Sequence, residues 1–278
     1  MNPISRRTAL SALSGLSALG LTSGVRSAMA DIGSPQFTTI STRDGRQLNA
    51  FLSLPAHLPA PAVLTIHSSL GLTDWYRSQA ARFAEAGFVG LAVDLFPGQQ
   101  AWDPDGEQRL INEAFRDARR TTENLVDWVH SLRRDPRTNG KVGIVGWSFG
   151  AWWALSASIA AAADATVMYY GLRYGHANLR ERETLELSRL KGQLLAHFGK
   201  FDTSIPKQQV DLFRDELIAL GKSIEIEWYP ANNGFADLTL DGYDRAAAIA
   251  AWKRTVEFLR TSLASSPVLS DGALHVER

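Results

Sequence analysis

The sequence has 278 residues, 45% of them hydrophobic and 21% charged, which is ordinary for a soluble globular protein and excludes a disordered, collagen-like or coiled-coil architecture. Lysine plus arginine and aspartate plus glutamate each number 29, so no basic excess is available for a nucleic-acid partner. The absence of cysteine excludes disulfides, thiolate metal sites and a cysteine nucleophile.

The first 30 residues have the organisation of a twin-arginine signal peptide. Arg6-Arg7 precedes an uncharged apolar stretch over Ala9–Leu21, and Ala28-Met29-Ala30 has the pattern of a cleavage site. A membrane anchor is the alternative, but the stretch is short for a bilayer and rich in serine and glycine. We therefore expect residues 1–30 to be removed, leaving a periplasmic or secreted protein with no stable membrane insertion.

Strand and helix patterns alternate in the rest of the chain. Phe37–Ser41 and Gln47–Leu54 flank Asp44-Gly45 and predict a β-hairpin. Later strands are predicted at Ala62–Ile66, Phe88–Val93, Val142–Val145, Ala165–Tyr170, Leu194–His197 and Ile224–Tyr229, and helices at Trp75–Ala86, Glu107–Leu132 (one long helix), Phe149–Ile159, Val210–Leu220 and Tyr243–Leu263. This order predicts one α/β domain over residues 31–264, a mostly parallel central sheet with helices on both faces, and a tail over 265–278.

Gly146-Trp147-Ser148-Phe149-Gly150 is the strongest chemical motif. It has the G-x-S-x-G spacing and lies between a predicted strand and a predicted helix, which is the context of a nucleophile elbow. The two glycines fit a turn that is too tight for larger side chains. The motif predicts that Ser148 is raised above the sheet edge beside the first N–H groups of the helix.

Several segments in order resemble the dienelactone hydrolase family of α/β-hydrolases, over about residues 43–263. The segment beginning Ile66-His67 is similar to the family's His-Glu-x-x-Gly-Leu, and the segment beginning His197-Phe198 to its Phe-Gly-x-x-Asp-x-x-Ile/Val-Pro. Shorter matches are Val93-Asp94-Leu95-Phe96, Asn139-Gly140-Lys141-Val142-Gly143, Tyr243-Asp244 and Ala251-Trp252-Lys253-Arg254-Thr255. The resemblance implies an α/β-hydrolase fold and hydrolysis of a carboxylic ester or lactone.

The resemblance also implies a set of site residues. Ser148 would be the nucleophile, where the family usually has cysteine, and Asp202 the orienting acid. The backbone N–H groups of Phe149 and Ser69 would form the oxyanion hole. Asn233 stands where the family has its catalytic histidine, and an amide side chain does not exchange protons near neutral pH.

His67 is the candidate substitute base, because it ends the strand that leads to the oxyanion loop. The family has a histidine there as well, beside its separate catalytic histidine, so a structural role is the favoured interpretation. No histidine pair has metal-ligand spacing with a carboxylate, and we predict neither a metal nor a cofactor.

Three further departures from the family concern charge and substrate. Ser68 stands where the family often has glutamate, which takes part in controlling the cysteine nucleophile. Gly98 and Asp237 stand where the resemblance implies arginines that hold a lactone carboxylate, and neither residue can pair with an anion. These positions favour a small neutral ester or lactone as the partner.

Two hypotheses follow. The first is an exported serine hydrolase with an incomplete triad, or a variant of it that transfers the acyl group to an acceptor other than water. The second is a catalytically silent α/β-hydrolase fold that binds a small acyl ligand. Retention of Ser148, Asp202 and the glycines favours the first, and Asn233 favours the second. The sequence predicts no oligomeric state.

Overall fold

The computed structural model describes residues 34–42, 44–172 and 186–264. The strands are β1 (Gln36–Ser41), β2 (Gln47–Ser53), β3 (Ala60–Ile66), β4 (Val89–Val93), β5 (Thr138–Trp147), β6 (Ala165–Tyr169), β7 (Gln193–Gly199) and β8 (Ile224–Tyr229). The helices are α1 (Asp74–Glu85), α2 (Pro104–Arg116), α3 (Ala118–Arg134), α4 (Phe149–Ala161), α5 (Lys207–Ala219) and α6 (Arg245–Ser262). The predicted signal peptide and the predicted tail lie outside the described residues.

The eight strands form one sheet in the order β1-β2-β4-β3-β5-β6-β7-β8. β1 pairs antiparallel with β2, β2 pairs antiparallel with β4, and the remaining pairs are parallel. One apolar cluster joins the sheet to α2, α3 and α4, and a second joins it to α1 and α6. The central strands are thus covered on both faces, which explains their short, continuous apolar sequences. The predicted mostly parallel α/β sheet is confirmed.

The prediction of one continuous helix over Glu107–Leu132 is wrong. The helix is broken at Asp117, whose backbone leaves the helical region with φ −130° and ψ 62°. The Asp117 side chain accepts a hydrogen bond of 3.1 Å from Arg120 N and so caps α3. The separate α2 packs against the start of α4, with the Phe115 and Phe149 ring centroids 5.7 Å apart.

The carboxyl ends of the parallel strands meet at one edge of the sheet. In the strand register Ile66 of β3 is opposite Gly146 of β5, and Gly199 of β7 is opposite Tyr229 of β8. Residues that follow these four positions are therefore brought to the same edge, where ligands bind in open α/β sheets. Among the described helices, none is long and apolar enough to cross a membrane.

Candidate active site

Ser148 occupies a sharp turn between β5 and α4. Its φ of 51° and ψ of −117° lie in a region that a residue other than glycine seldom adopts, and such a conformation costs about 1–3 kcal/mol. The turn is held by hydrogen bonds from Ser148 N to Tyr169 O at 2.9 Å and from Ala151 N to Ser148 O at 2.9 Å. This strained strand–serine–helix turn has the geometry of a nucleophile elbow.

Close backbone contacts explain the glycines around the turn. A Cβ on Gly146 would lie 2.1 Å from the carbonyl oxygen of Gly150, and a Cβ on Gly150 would lie 2.3 Å from that of Ile66. A third glycine, Gly171, approaches the carbonyl oxygen of Ser148, where an added Cβ would be only 2.1 Å away. The first two positions were predicted from the motif spacing, whereas no sequence signal indicated Gly171.

Two backbone N–H groups are available next to Ser148. Phe149 is the first residue of α4, and the first N–H groups of a helix have no partner within it. Ser69 lies on the loop after β3, and its N–H forms no hydrogen bond with the described residues. Gly150 brings the start of α4 against the end of β3, so both predicted oxyanion donors belong to adjoining segments.

His67 is fully buried and both of its ring nitrogens are engaged. Leu95 N donates to Nε2 at 3.0 Å, so Nε2 carries no proton and Nδ1 donates to Ser68 O at 2.6 Å. Burial also lowers the pKa of His67 below its usual range. This geometry leaves no free ring nitrogen for Ser148 and does not favour the role of substitute base.

Asp202 and Asn233 lie in direct contact. Asn233 Nδ2 donates to Asp202 Oδ2 at 2.8 Å and to Tyr170 O at 3.3 Å, while Asp202 Oδ1 accepts from Ser204 N at 2.7 Å. Both partners of the amide nitrogen are pure acceptors, so the Asn233 oxygen is directed away from them. The amide therefore makes the bond to the acid that one nitrogen of a histidine would make.

The loop that carries Asn233 is tightly fixed. A Cβ on Gly242 would lie 2.0 Å from Asn233 O, and a Cβ on Gly199 would lie 2.3 Å from Ala231 O. Phe201 N donates to Ala231 O at 3.0 Å, which joins this loop to the segment leading to Asp202. No described residue accepts a hydrogen bond from Ser148 Oγ, so Asn233 and Ser148 share an edge of the sheet without a direct bond.

The sequence model of the dienelactone hydrolase family matches residues 48–263. The chain belongs to this family. A carboxymethylenebutenolidase of Pseudomonas putida is 26% identical over 238 residues, which cover 82% of this chain and 98% of that protein. A putative dienelactone hydrolase structure from Klebsiella pneumoniae has a TM-score of 0.71 at 21% identity, covering 80% of this chain and 96% of the other. A dienelactone hydrolase-like promiscuous phosphotriesterase from metagenomic libraries has a TM-score of 0.72 at 20% identity, with coverages of 83% and 100%.

His197 is a second buried histidine of this dienelactone hydrolase family member, and its contacts do not fit the role of base. His197 is buried, with Nδ1 3.0 Å from the Tyr229 hydroxyl and Nε2 2.9 Å from Thr255 Oγ1, and burial lowers its pKa to about 3. His176 and His275 lie outside the described residues. Within the described ranges, no cluster of three or more histidine, aspartate or glutamate side chains could hold a metal ion.

Asp237 is a fully buried carboxylate at a position where the resemblance implies an arginine. Its Oδ1 accepts from Thr239 N at 2.9 Å and Thr239 Oγ1 at 2.6 Å, but Oδ2 has no partner in the described part of the chain. The hydroxyls of Tyr76 and Tyr170 are buried beside Asp237. Burial, with the charge of Asp237 as a further cause, raises the pKa of both tyrosines, so they stay neutral. Sequence reasoning did not indicate either tyrosine.

Proposed function

We propose that this protein cleaves a carboxylic ester or lactone through an acyl-enzyme on Ser148. The observation that carries the proposal is the strained backbone of Ser148, with φ 51°, between β5 and α4. A strained residue that is enclosed by three glycine contacts is typical of a functional site, because the surrounding structure must hold it against its own preference.

In the proposed reaction Ser148 Oγ attacks the carbonyl carbon and loses its proton. The N–H groups of Phe149 and Ser69 hold the oxyanion, the C–O bond to the alcohol breaks, and the alkoxide takes a proton. Water then attacks the acyl-enzyme, releasing the acid and restoring the serine hydroxyl. Oxyanion stabilisation and substrate binding alone sustain about 10³–10⁴-fold catalysis over water when triad members are missing.

Asn233 limits the proposed reaction. Its oxygen, directed away from Asp202, can accept a hydrogen bond from Ser148 or from a water molecule. An amide cannot take the proton and return it to the leaving group, so Asn233 orients without acting as a base. We therefore propose an incomplete triad and slow turnover, with the proton passing to solvent.

A neutral substrate fits the residues at the two positions where the resemblance implies arginines. Gly98 offers no cation, and its N–H donates to Asp94 Oδ2 at 2.6 Å. Arg77 lines the same pocket of about 210 Å³ as Gly98, but its guanidinium is paired with Asp74 at 2.6 Å. Asp237 adds a buried negative group. Related proteins are named carboxymethylenebutenolidase, and this chain differs from the pattern implied by the resemblance at both carboxylate-binding arginines.

The proposed hydrolysis is tested by comparing residues 31–278 with the Ser148→Ala variant on p-nitrophenyl acetate and on a neutral γ-lactone. Ser41→Ala, which changes an exposed serine on the edge strand β1, is the matched control. We expect loss of turnover only in Ser148→Ala. Equal rates for the wild type and Ser148→Ala would contradict the proposal.

A silent acyl-binding fold is the second candidate, and the amide of Asn233 against Asp202 is the observation that favours it. Such a protein would bind a short-chain ester with unchanged affinity in Ser148→Ala and hydrolyse it in neither form. Calorimetric titration with an ester, read together with product formation, separates the two candidates. Transfer of the acyl group to an alcohol instead of water would appear in the same assay as a transesterified product.

We also propose export by the twin-arginine route, with cleavage after Ala30. The support is Arg6-Arg7 together with Ala28-Met29-Ala30. Replacing both arginines with lysine should leave the precursor in the cytoplasm. Normal processing of that variant would contradict the proposal.

A further inference from the structure

A carboxylate that sequence reasoning did not single out reaches the oxyanion loop. Glu107 lies in the first turn of α2, just after Asp103 caps the helix by accepting from Gly106 N at 2.7 Å. Ser69 Oγ donates a hydrogen bond to Glu107 Oε1. In the described part of the chain the Glu107 carboxylate forms no ion pair, and Ser69 is its hydrogen-bond donor there.

The peptide between Ser68 and Ser69 is the one whose N–H would bind the oxyanion. Because a trans peptide is planar, its C=O and N–H point in opposite directions, and fixing one end aims the other. The Ser68 carbonyl accepts from His67 Nδ1 at 2.6 Å and from Gly71 N at 3.2 Å. These bonds hold the carbonyl end and turn the Ser69 N–H the other way.

The hydrogen bond from Ser69 Oγ to Glu107 fixes the Ser69 end of the Ser68–Ser69 peptide. The next residues of the loop are held by backbone hydrogen bonds: Ala101 N donates to Leu70 O at 3.0 Å, and Gly71 pairs with Gln100. Within the described residues, Ser69 itself forms no hydrogen bond other than the one to Glu107. Ser69 is buried, so its hydroxyl would be left without an acceptor if the carboxylate were removed.

We propose that Glu107 is a positioning residue for ester hydrolysis: through Ser69 Oγ it aligns the Ser69 N–H, while His67 aligns the same peptide from the carbonyl side. This inference rests on the proposed function, because it concerns the oxyanion of the Ser148 reaction. Glu107 is not the missing base in this scheme, because its carboxylate accepts from Ser69 Oγ and no contact within the described residues joins it to Ser148. Position, and not charge, is what Glu107 contributes.

The experiment compares kcat and KM for p-nitrophenyl acetate in residues 31–278 and in five variants, with Ser148→Ala as the inactive reference. Glu107→Ala should lower kcat about 10–100-fold with KM little changed, because a misplacement of about 1 Å can cost about 10²-fold. Ser69→Ala should lower kcat similarly, and the double variant should be no worse than the poorer single variant, because the two residues act as one unit. Glu107→Gln keeps an acceptor oxygen and should retain kcat within about fivefold, since neutral hydrogen bonds are about half as strong as charged ones. Glu113→Ala, on the same helix but paired with Arg109 at 3.1 Å, is the matched control and should leave kcat unchanged.

Each outcome decides the inference. Additive losses in the double variant, or full activity in both Glu107→Ala and Ser69→Ala, would overturn it. A Glu107→Gln variant as inactive as Glu107→Ala would also overturn it, because the proton or the charge would then be required. A wild type no faster than Ser148→Ala defeats the proposed function and the positioning role together, whereas an active wild type with insensitive Glu107 variants defeats only the latter. Thermal unfolding of each variant confirms the fold, and Ser69→Ala, which keeps its backbone N–H, tests the link even if Glu107→Ala unfolds.

Discussion

Replacing Asn233 with histidine should supply the base that the site lacks. Asn233 Nδ2 lies 2.8 Å from Asp202 Oδ2, so a histidine there can donate Nδ1–H to the same oxygen. That bond selects the tautomer whose Nε2 is free to accept a proton. The close approach of Gly242 to Asn233 O fixes the backbone of the loop, so the new ring replaces the amide without moving its support.

The size of the gain follows from the role of the new group. General-base catalysis contributes about 10²–10⁴-fold, and we expect Asn233→His to raise kcat/KM by at least about 10²-fold. The base acts only when unprotonated, so the gained activity should fall as the pH drops through the pKa of the new imidazole. An adjacent carboxylate raises that pKa above the ordinary value of about 6.5 and places the loss near neutral pH.

Initial rates of p-nitrophenyl acetate hydrolysis between pH 5 and about pH 9 provide the assay. The control is Asn233→His combined with Asp202→Asn, which removes the orienting charge and should abolish most of the gain. If Asn233→His folds normally but hydrolyses the ester no faster at any pH, the inference that Asn233 limits turnover is refuted.

Three more predictions concern His67, Gly146 and the charge of the substrate. His67→Ala should lower the free energy of unfolding by about 2–5 kcal/mol in urea titrations, because it leaves Leu95 N and Ser68 O without their ring partners. His67→Asn, which keeps a donor, should retain a higher kcat than His67→Ala. Equal inactivation of both folded variants would indicate that His67 is the base. Gly146→Ala should cost about 1–3 kcal/mol or more and abolish turnover, because its Cβ would meet the Gly150 carbonyl oxygen at 2.1 Å; a stable, active variant would contradict the elbow geometry. Neutral esters should have higher kcat/KM than their carboxylated analogues, because the buried Asp237 opposes an anion, and faster turnover of the anionic analogue would count against this.

The sheet and the serine turn were accessible from the sequence for physical reasons. Strands such as Ala60–Ile66 are buried on both faces and so read as apolar runs, and the spacing of Gly146 and Gly150 about Ser148 reflects backbone contacts that no other residue tolerates. The Asp202–Asn233 contact was implied only by the family resemblance, since 31 residues separate the two in the chain.

The break between α2 and α3 and two long-range contacts could not be predicted from patterns in the sequence. The apolar spacing of α2 and α3 continues across Asp117, so local capping by one side chain outweighed the periodicity and broke the helix. The bond between Ser69 and Glu107 joins segments 38 residues apart, and the burial of Asp237 beside Tyr76 and Tyr170 depends on three distant elements. Such contacts are decided by packing, which neither periodicity nor spacing encodes.

The proposed reaction passes through a covalent acyl-enzyme on Ser148. The direct test is to incubate residues 31–278 and the Ser148→Ala variant with a neutral fluorophosphonate ester and to locate the adduct by peptide mass spectrometry. We expect one adduct per chain, on the peptide that contains Ser148, loss of ester hydrolysis in proportion to labelling, and no adduct in the variant. Unlabelled Ser148 in a protein that still hydrolyses esters, or an adduct on another residue that abolishes activity, would contradict it.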